Sequence, residues 1–350
     1  MEASNKIKIL LIYTGGTIGM IKDSITGVLK AFNFDELLHR IPELNLLDCE
    51  VETYSFENPI DSSNMNTEHW VMMADVIEKH YATYDGFVVL HGSDTMSYSA
   101  SALSFMLENL SKPVVFTGSQ LPIGDLRTDA KENLITAIQI ASLTENNKPV
   151  ITEVCLYFEY KLYRGNRTTK ISAEHFNAFT SPNMPALAES GVHLKVQKEL
   201  LLPKTTANTN LLVHRKFDTH VLVLKIFPGL TVTMLQAILN IPNLKGLVLE
   251  TYGSGNAYNE PWFIDAIQNA VKNGMFVVNV TQCSAGTVNM EKYETGIQLK
   301  QIGVISGYDI TTEAAVAKLM FLLGLKTDRS QFQTVFETPL RGELTQEVAH

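Results

Sequence analysis

Short apolar runs alternate along this chain with longer stretches whose apolar residues recur every three or four positions, the pattern of strands alternating with helices. The first run, 7–13, is continuous, rich in branched side chains and closed by glycines, which predicts a strand buried on both faces. Asn66 or Thr67 is suited to cap a helix whose apolar residues Val71, Ala74, Ile77 and Tyr81 recur at helical spacing. The alternation continues as strand 87–91, helix 95–110, strand 114–117, helix 130–143 and strand 150–158, with Pro113 and Pro149 turning the chain at the later strands. Between 181 and 216 the regularity fails. Pro182, Pro185, Pro203 and the polar stretch 204–210 predict irregular backbone there. Beyond it come strand 221–226, helix 232–239, strand 246–251, helix 262–273, strand 276–281 and two last helices, 312–323 and 331–336.

Elements of these lengths in this order predict parallel strands joined by right-handed crossovers. The expected fold is α/β in two domains. A larger N-terminal domain, 1–190, carries a doubly wound, mostly parallel sheet. A linker spans 191–216, and a smaller parallel-sheet domain occupies 217–350. A chain of 350 residues suits two cores better than one.

Composition narrows the function classes. A net charge of −9 argues against nonspecific nucleic-acid binding, which draws on a basic surface. Cys49, Cys155 and Cys283 are few, odd in number and far apart, so neither a disulfide framework nor a zinc site is expected. The nine histidines include no HExxH pattern, and His91 reads as a packed strand-end residue rather than a ligand. No apolar run approaches a membrane span and no signal peptide is visible, so the expected location is the cytoplasm.

Two polar clusters stand at strand ends: YTGGTIG at 13–19 and HGSDTM at 91–96. Ligands in α/β proteins gather at the carboxyl ends of parallel strands. Thr14, Thr17, Ser93, Asp94 and Thr95 put hydroxyls and a carboxylate there without a Ser–His pair, pointing to a hydroxyl nucleophile whose base is not histidine. TGGTIG fits neither dinucleotide nor P-loop spacing. A threonine hydroxyl needs an adjacent base; a lysine serves if neutral, with an aspartate to orient it. Lys170, in YRGNRTTK, and Asp94 supply those groups, although alone Asp94 also reads as a helix-start carboxylate and Lys170 as a solvated side chain. TGSQLPIGDLR at 117–127 is a further loop after a strand.

Seven strings together resemble a known family: TGGTIG, DSSNM at 61–65, HGSDTM, TGSQ, RGNRTTK, YGSGN at 252–256 and NVTQC at 279–283 occur in the order seen in bacterial-type L-asparaginases. RGNRTTK, ASALSFMLENL at 100–110 and the terminal RGELT look most like the cytoplasmic type I branch. The resemblance spans about 7–345. It implies hydrolysis of the side-chain amide of L-asparagine to L-aspartate and ammonia, without metal or organic cofactor. It also implies a homo-oligomer of intimate dimers, usually a dimer of dimers. By motif, Thr17 matches the nucleophile, Ser93 the second catalytic hydroxyl, and Asp94 and Lys170 the aspartate and lysine beside them. Asp61, Ser62 and Ser63 match the segment that holds the substrate's α-carboxylate and amine. Ser119 matches a contact to the scissile amide, and Asn256 a residue contributed across the subunit interface.

Three positions depart from the family pattern. Ser93 stands where threonine is usual, which keeps the hydroxyl but frees χ1. The stretch 23–30 lacks the tyrosine common in that loop and has Val28 at its place; Tyr293, in NMEKYETG, is either its substitute or a packing residue. Thr169 and Cys283 match an allosteric asparagine site, but Glu250 stands where an arginine is expected and would repel a carboxylate. Other readings stay open: a glutaminase or other amidohydrolase, including the amide-hydrolysing subunit of a tRNA-dependent amidotransferase, an asparagine-binding sensor without turnover, or a dinucleotide-binding oxidoreductase.

Overall fold

The computed structural model describes residues 6–22, 29–31, 41–204 and 210–346. These form two compact units, one running to Ser181 and including Pro185–Arg215, the other made of Pro182–Met184 and the chain from Lys216 onward.

The first unit is organised around an eight-stranded sheet. Strands β1 (Ile7–Gly15), β2 (Cys49–Ile60), β3 (Gly86–Leu90), β4 (Val114–Thr117) and β5 (Val154–Phe158) are parallel in the order β2-β1-β3-β4-β5. Beyond β5, strands β6 (Lys161–Arg164), β7 (Ala188–Ser190) and β8 (Leu194–Val196) add in antiparallel register. β3 and β4 are buried at every position, as strands covered on both faces must be. Helices α1 (Thr67–His80), α2 (Met96–Met106) and α3 (Ala130–Ala141) are interleaved with the strands along the chain. Asn66 starts α1, its side chain accepting from the N–H groups of Glu68 and His69, while His69 Nδ1 accepts from Asn66 N–H. α2 stops short of the expected 110 because Leu107 and Glu108 leave the helix to pair with Val213 and Leu212. The stretch 181–216, expected to be irregular, contributes β7 and β8, two short strands that its prolines conceal.

From β1 the chain crosses to β2 on one side of it and then to β3 on the other. The loops after β1 and β3 therefore diverge at a topological switch point, where α/β sheets open a crevice.

The second unit has four parallel strands in sequential order: β9 (Val221–Lys225), β10 (Gly246–Thr251), β11 (Phe276–Thr281) and β12 (Ile305–Ser306). Helices α4 (Val232–Leu239), α5 (Pro261–Lys272), α6 (Glu294–Gln301), α7 (Thr312–Gly324) and α8 (Arg329–Glu337) accompany them. Leu235, Leu247, Leu249, Phe263, Ile267 and Val277 belong to its core. The larger mostly parallel sheet and the smaller parallel sheet expected from the sequence are both present. α6 escapes the sequence pattern because Gly296 interrupts it and its buried positions are few.

A buried ion pair anchors the C-terminal segment. Lys318 on α7, fully buried, donates to Glu343, to Phe336 O at 2.6 Å and to Thr338 O at 2.7 Å. Glu343 also accepts from Leu340 N–H at 3.0 Å and Arg341 N–H at 2.7 Å. Removing one partner strands the other's charge in the core, so Lys318→Met is expected to destabilise the protein by about 3–5 kcal/mol. Chemical denaturation of the full chain checks this, and a loss below about 1 kcal/mol would contradict it.

Candidate active site

Three loops converge at the switch point. Thr14, buried near the end of β1, donates its hydroxyl to Leu90 O at 2.8 Å and so ties β1 to β3. That hydroxyl is committed to the sheet. Gly16 has φ +89°, and a Cβ there would lie 2.5 Å from Gly92 N, so glycine lets the turn holding Thr17 press against the loop holding Ser93. A Cβ on Gly118 would lie 2.3 Å from His91 O, which brings the 118–121 segment against the same loop. Thr17 is half-buried in the short turn Thr17–Gly19. The turn Ser62–Asn64 joins them: Thr95 Oγ1 donates to Ser62 O at 2.7 Å, and Asp61 caps the turn by accepting from Ser63 N–H at 3.0 Å. Asp61 and Ser63 are exposed, whereas Ser62 is buried.

Lys170 Nζ donates to Ser93 Oγ at 2.8 Å and to Asp94 Oδ1 at 2.6 Å. It arrives on the two-residue strand Thr169–Lys170, paired with Phe179–Thr180. Ser93 in turn donates to Gln120 Oε1 at 3.1 Å, and Gln120 Nε2 donates to His175 O at 3.1 Å. A hydroxyl, an amine and a carboxylate thus stand in direct contact, the groups needed to move protons at a carbonyl centre without histidine. Ser119 is buried and its hydroxyl donates to Leu121 O at 2.6 Å. Gln120 is the member of this set that residue chemistry alone does not mark; its place in the TGSQ string is the signal that could have found it. Among the described residues, no group of three or more His, Cys, Asp or Glu side chains gathers as metal ligands would, and no helix is long and apolar enough to cross a membrane.

His91 takes no part in the Ser93–Lys170 chain. It is fully buried, and its Nδ1–H donates to Gly92 O at 2.7 Å, because a carbonyl can only accept. Nε2 then accepts from Ser99 Oγ at 2.8 Å, and Ser99 Oγ accepts from Trp70 Nε1–H at 3.0 Å. Burial lowers its pKa from 6.5 to about 4, so the ring is neutral at pH 7. With the folded value below the unfolded one, the unfolded chain takes up the proton first as pH falls. Stability from this group is therefore full above pH 6.5 and lost on descent towards about pH 4, about 3 kcal/mol in all. Denaturation of wild type and His91→Gln at neutral and acid pH checks this. The wild type is expected to lose more on acidification, and equal losses would contradict it.

The family model described as Asparaginase, N-terminal matches residues 8–202, and the one described as Glutaminase/Asparaginase C-terminal domain matches residues 220–336. The chain belongs to the asparaginase family. L-asparaginase 1 of Escherichia coli (strain K12) is 43% identical to this asparaginase-family chain over 341 residues, covering 97% of it and 98% of that protein. The 60 kDa lysophospholipase of Mus musculus is 41% identical over 363 residues, covering 97% of this chain and 62% of that protein. The crystal structure of L-asparaginase I from Vibrio cholerae O1 biovar eltor str. N16961 superposes with a TM-score of 0.88 at 38% identity, covering 97% of this chain and 100% of that one.

Other positions marked by the family resemblance belong to the second unit. Tyr293 is exposed at the start of α6, with Lys292 Nζ 5.5 Å from its ring centroid, and Asn256 closes a backbone bridge with Tyr252. Glu250, near the end of β10, accepts from Thr312 Oγ1 at 2.7 Å, and Cys283 is exposed. Val28 lies outside the described residues.

Proposed function

We propose that this protein hydrolyses the side-chain amide of L-asparagine to L-aspartate and ammonia, with Thr17 as nucleophile. The observation that carries the reading is the contact of Lys170 with both Ser93 and Asp94 at the switch point, on the loop against which the Thr17 turn packs. The names of the E. coli and V. cholerae relatives support the choice of substrate.

Thr17 Oγ1 attacks the amide carbon, and the resulting oxyanion is held by backbone N–H groups near Ser93. The C–N bond breaks, the hydroxyl proton of Thr17 ends on the leaving nitrogen through the Ser93–Lys170 network, and ammonia departs. The aspartyl ester left on Thr17 is then cleaved by water, which gives its proton back to the Thr17 oxygen. Asp61, Ser62 and Ser63 hold the substrate's α-carboxylate and amine, Asp94 shares the amine, and Ser119 meets the scissile amide. By the family pattern, Asn256 of the partner subunit completes the site in a cytoplasmic homo-oligomer built of dimers.

Asparagine and glutamine differ by one methylene, which a pocket discriminates only weakly, on the order of 10–200-fold. Ammonia and amino-acid product are therefore measured from both amides. Equimolar aspartate and ammonia from asparagine are expected. Binding without release would point to a sensor, and release from glutamine alone to a glutaminase.

A further inference from the structure

The segment 118–121 is held largely by side chains from the start of α3. Asp129 occupies the position before that helix, where an aspartate ordinarily accepts the N–H groups of its own first turn. Here the side chain makes no such cap. It accepts instead from Gln120 N–H, at 3.2 and 3.0 Å to its two oxygens, and from Leu121 N–H at 3.2 Å. Thr128 acts on the same segment: its hydroxyl donates to Leu121 O at 3.2 Å and accepts from Ala130 N–H at 3.0 Å. Asn133, one turn along, donates to Gly118 O at 3.0 Å and to Asp129 Oδ2 at 3.2 Å. The carboxylate thus leaves the backbone of its own helix uncapped and faces a loop in which Gln120 accepts the Ser93 hydroxyl.

We infer that Asp129 and Thr128 are positioning residues for the reaction, fixing the backbone of Gln120 and Leu121 so that the Gln120 carboxamide sets the orientation of Ser93. This role rests on the reading of Ser93 proposed above. Asp129 is buried and reaches Ser93 only through Gln120. Its loss should therefore lower turnover more than substrate binding. A residue that merely folded the turn would act with or without the Gln120 side chain; a positioning residue acts through it.

A double-mutant cycle separates the two. Wild type, Asp129→Asn, Gln120→Ala and the double variant are compared for kcat and KM on asparagine, with thermal unfolding followed by circular dichroism. Asp129→Asn is expected to lower kcat about tenfold with KM changed by less than about threefold, and to have less than about a twofold effect once Gln120 is alanine. The same loss in both backgrounds, or no loss in either, would overturn the role. If Asp129→Asn does not fold, the cycle is run with Thr128→Val, where a loss of about threefold that vanishes with Gln120→Ala is expected and an additive loss overturns the role. A wild type that releases no ammonia overturns the reading of the site itself, and this role with it. An active wild type with additive losses overturns this role alone.

Discussion

Thr17→Ala is expected to abolish ammonia release while leaving the protein folded. Removing the nucleophile of a site whose groups act as a unit costs on the order of 10⁴-fold or more in turnover. The fold should tolerate the change because the tight contact at this turn is made by the backbone of Gly16 against Gly92, and the turn's own hydrogen bonds, from Gly19 N–H to Gly16 O and from Met20 N–H to Thr17 O, are all backbone. Truncating a half-buried threonine there should shift stability by no more than about 1 kcal/mol. Steady-state ammonia assays with circular dichroism on the same sample test both halves. Turnover within about tenfold of wild type in a folded Thr17→Ala protein would exclude Thr17 as the nucleophile.

The second large effect is expected at Lys170. Lys170→Met keeps most of the side chain's length and removes the donor shared by Ser93 and Asp94. General acid–base contributions of this kind amount to roughly 10²–10⁴-fold, and a fall of that size in kcat is expected. Stability should barely change, because Asp94 is mostly exposed and water replaces its lost partner. Loss of activity can then be told apart from loss of structure. A folded Lys170→Met protein with turnover within about threefold of wild type would remove Lys170 from the mechanism.

Most parallel strands were legible because burial on both faces leaves little choice of residue: Ile9, Leu11 and Ile12 in β1, or Val88 and Val89 in β3, read as strand from composition alone. The parallel strand β2 was not, because most of its positions are exposed or half-buried and break the apolar run, nor was the two-residue β12. β7 and β8 were not, being short and set in a stretch broken by prolines. Of the candidate site, Thr17 and Ser93 stood out in the sequence because each follows a strand closed by glycine. The proximity of Lys170 to Ser93 is tertiary, across 77 positions of sequence, and no periodicity carries it. The work of Asp129 is hidden by the opposite effect. Its residue type and position before α3 match an ordinary helix cap so well that the pattern gives no sign of the carboxylate facing Gln120. Thr14 and Thr17, alike as hydroxyls at one strand end, also differ in that the Thr14 hydroxyl is committed to Leu90 O.

Transfer of the aspartyl group of asparagine to Thr17 is tested most directly by trapping that ester. Enzyme mixed with asparagine is quenched in acid before and during the first turnovers, digested, and its peptides weighed. The peptide containing Thr17 is expected to gain the mass of asparagine less ammonia, with the modification absent from Thr17→Ala. Steady ammonia release while that peptide stays unmodified at every quench time, or the same mass gain on a different peptide, would contradict transfer to Thr17.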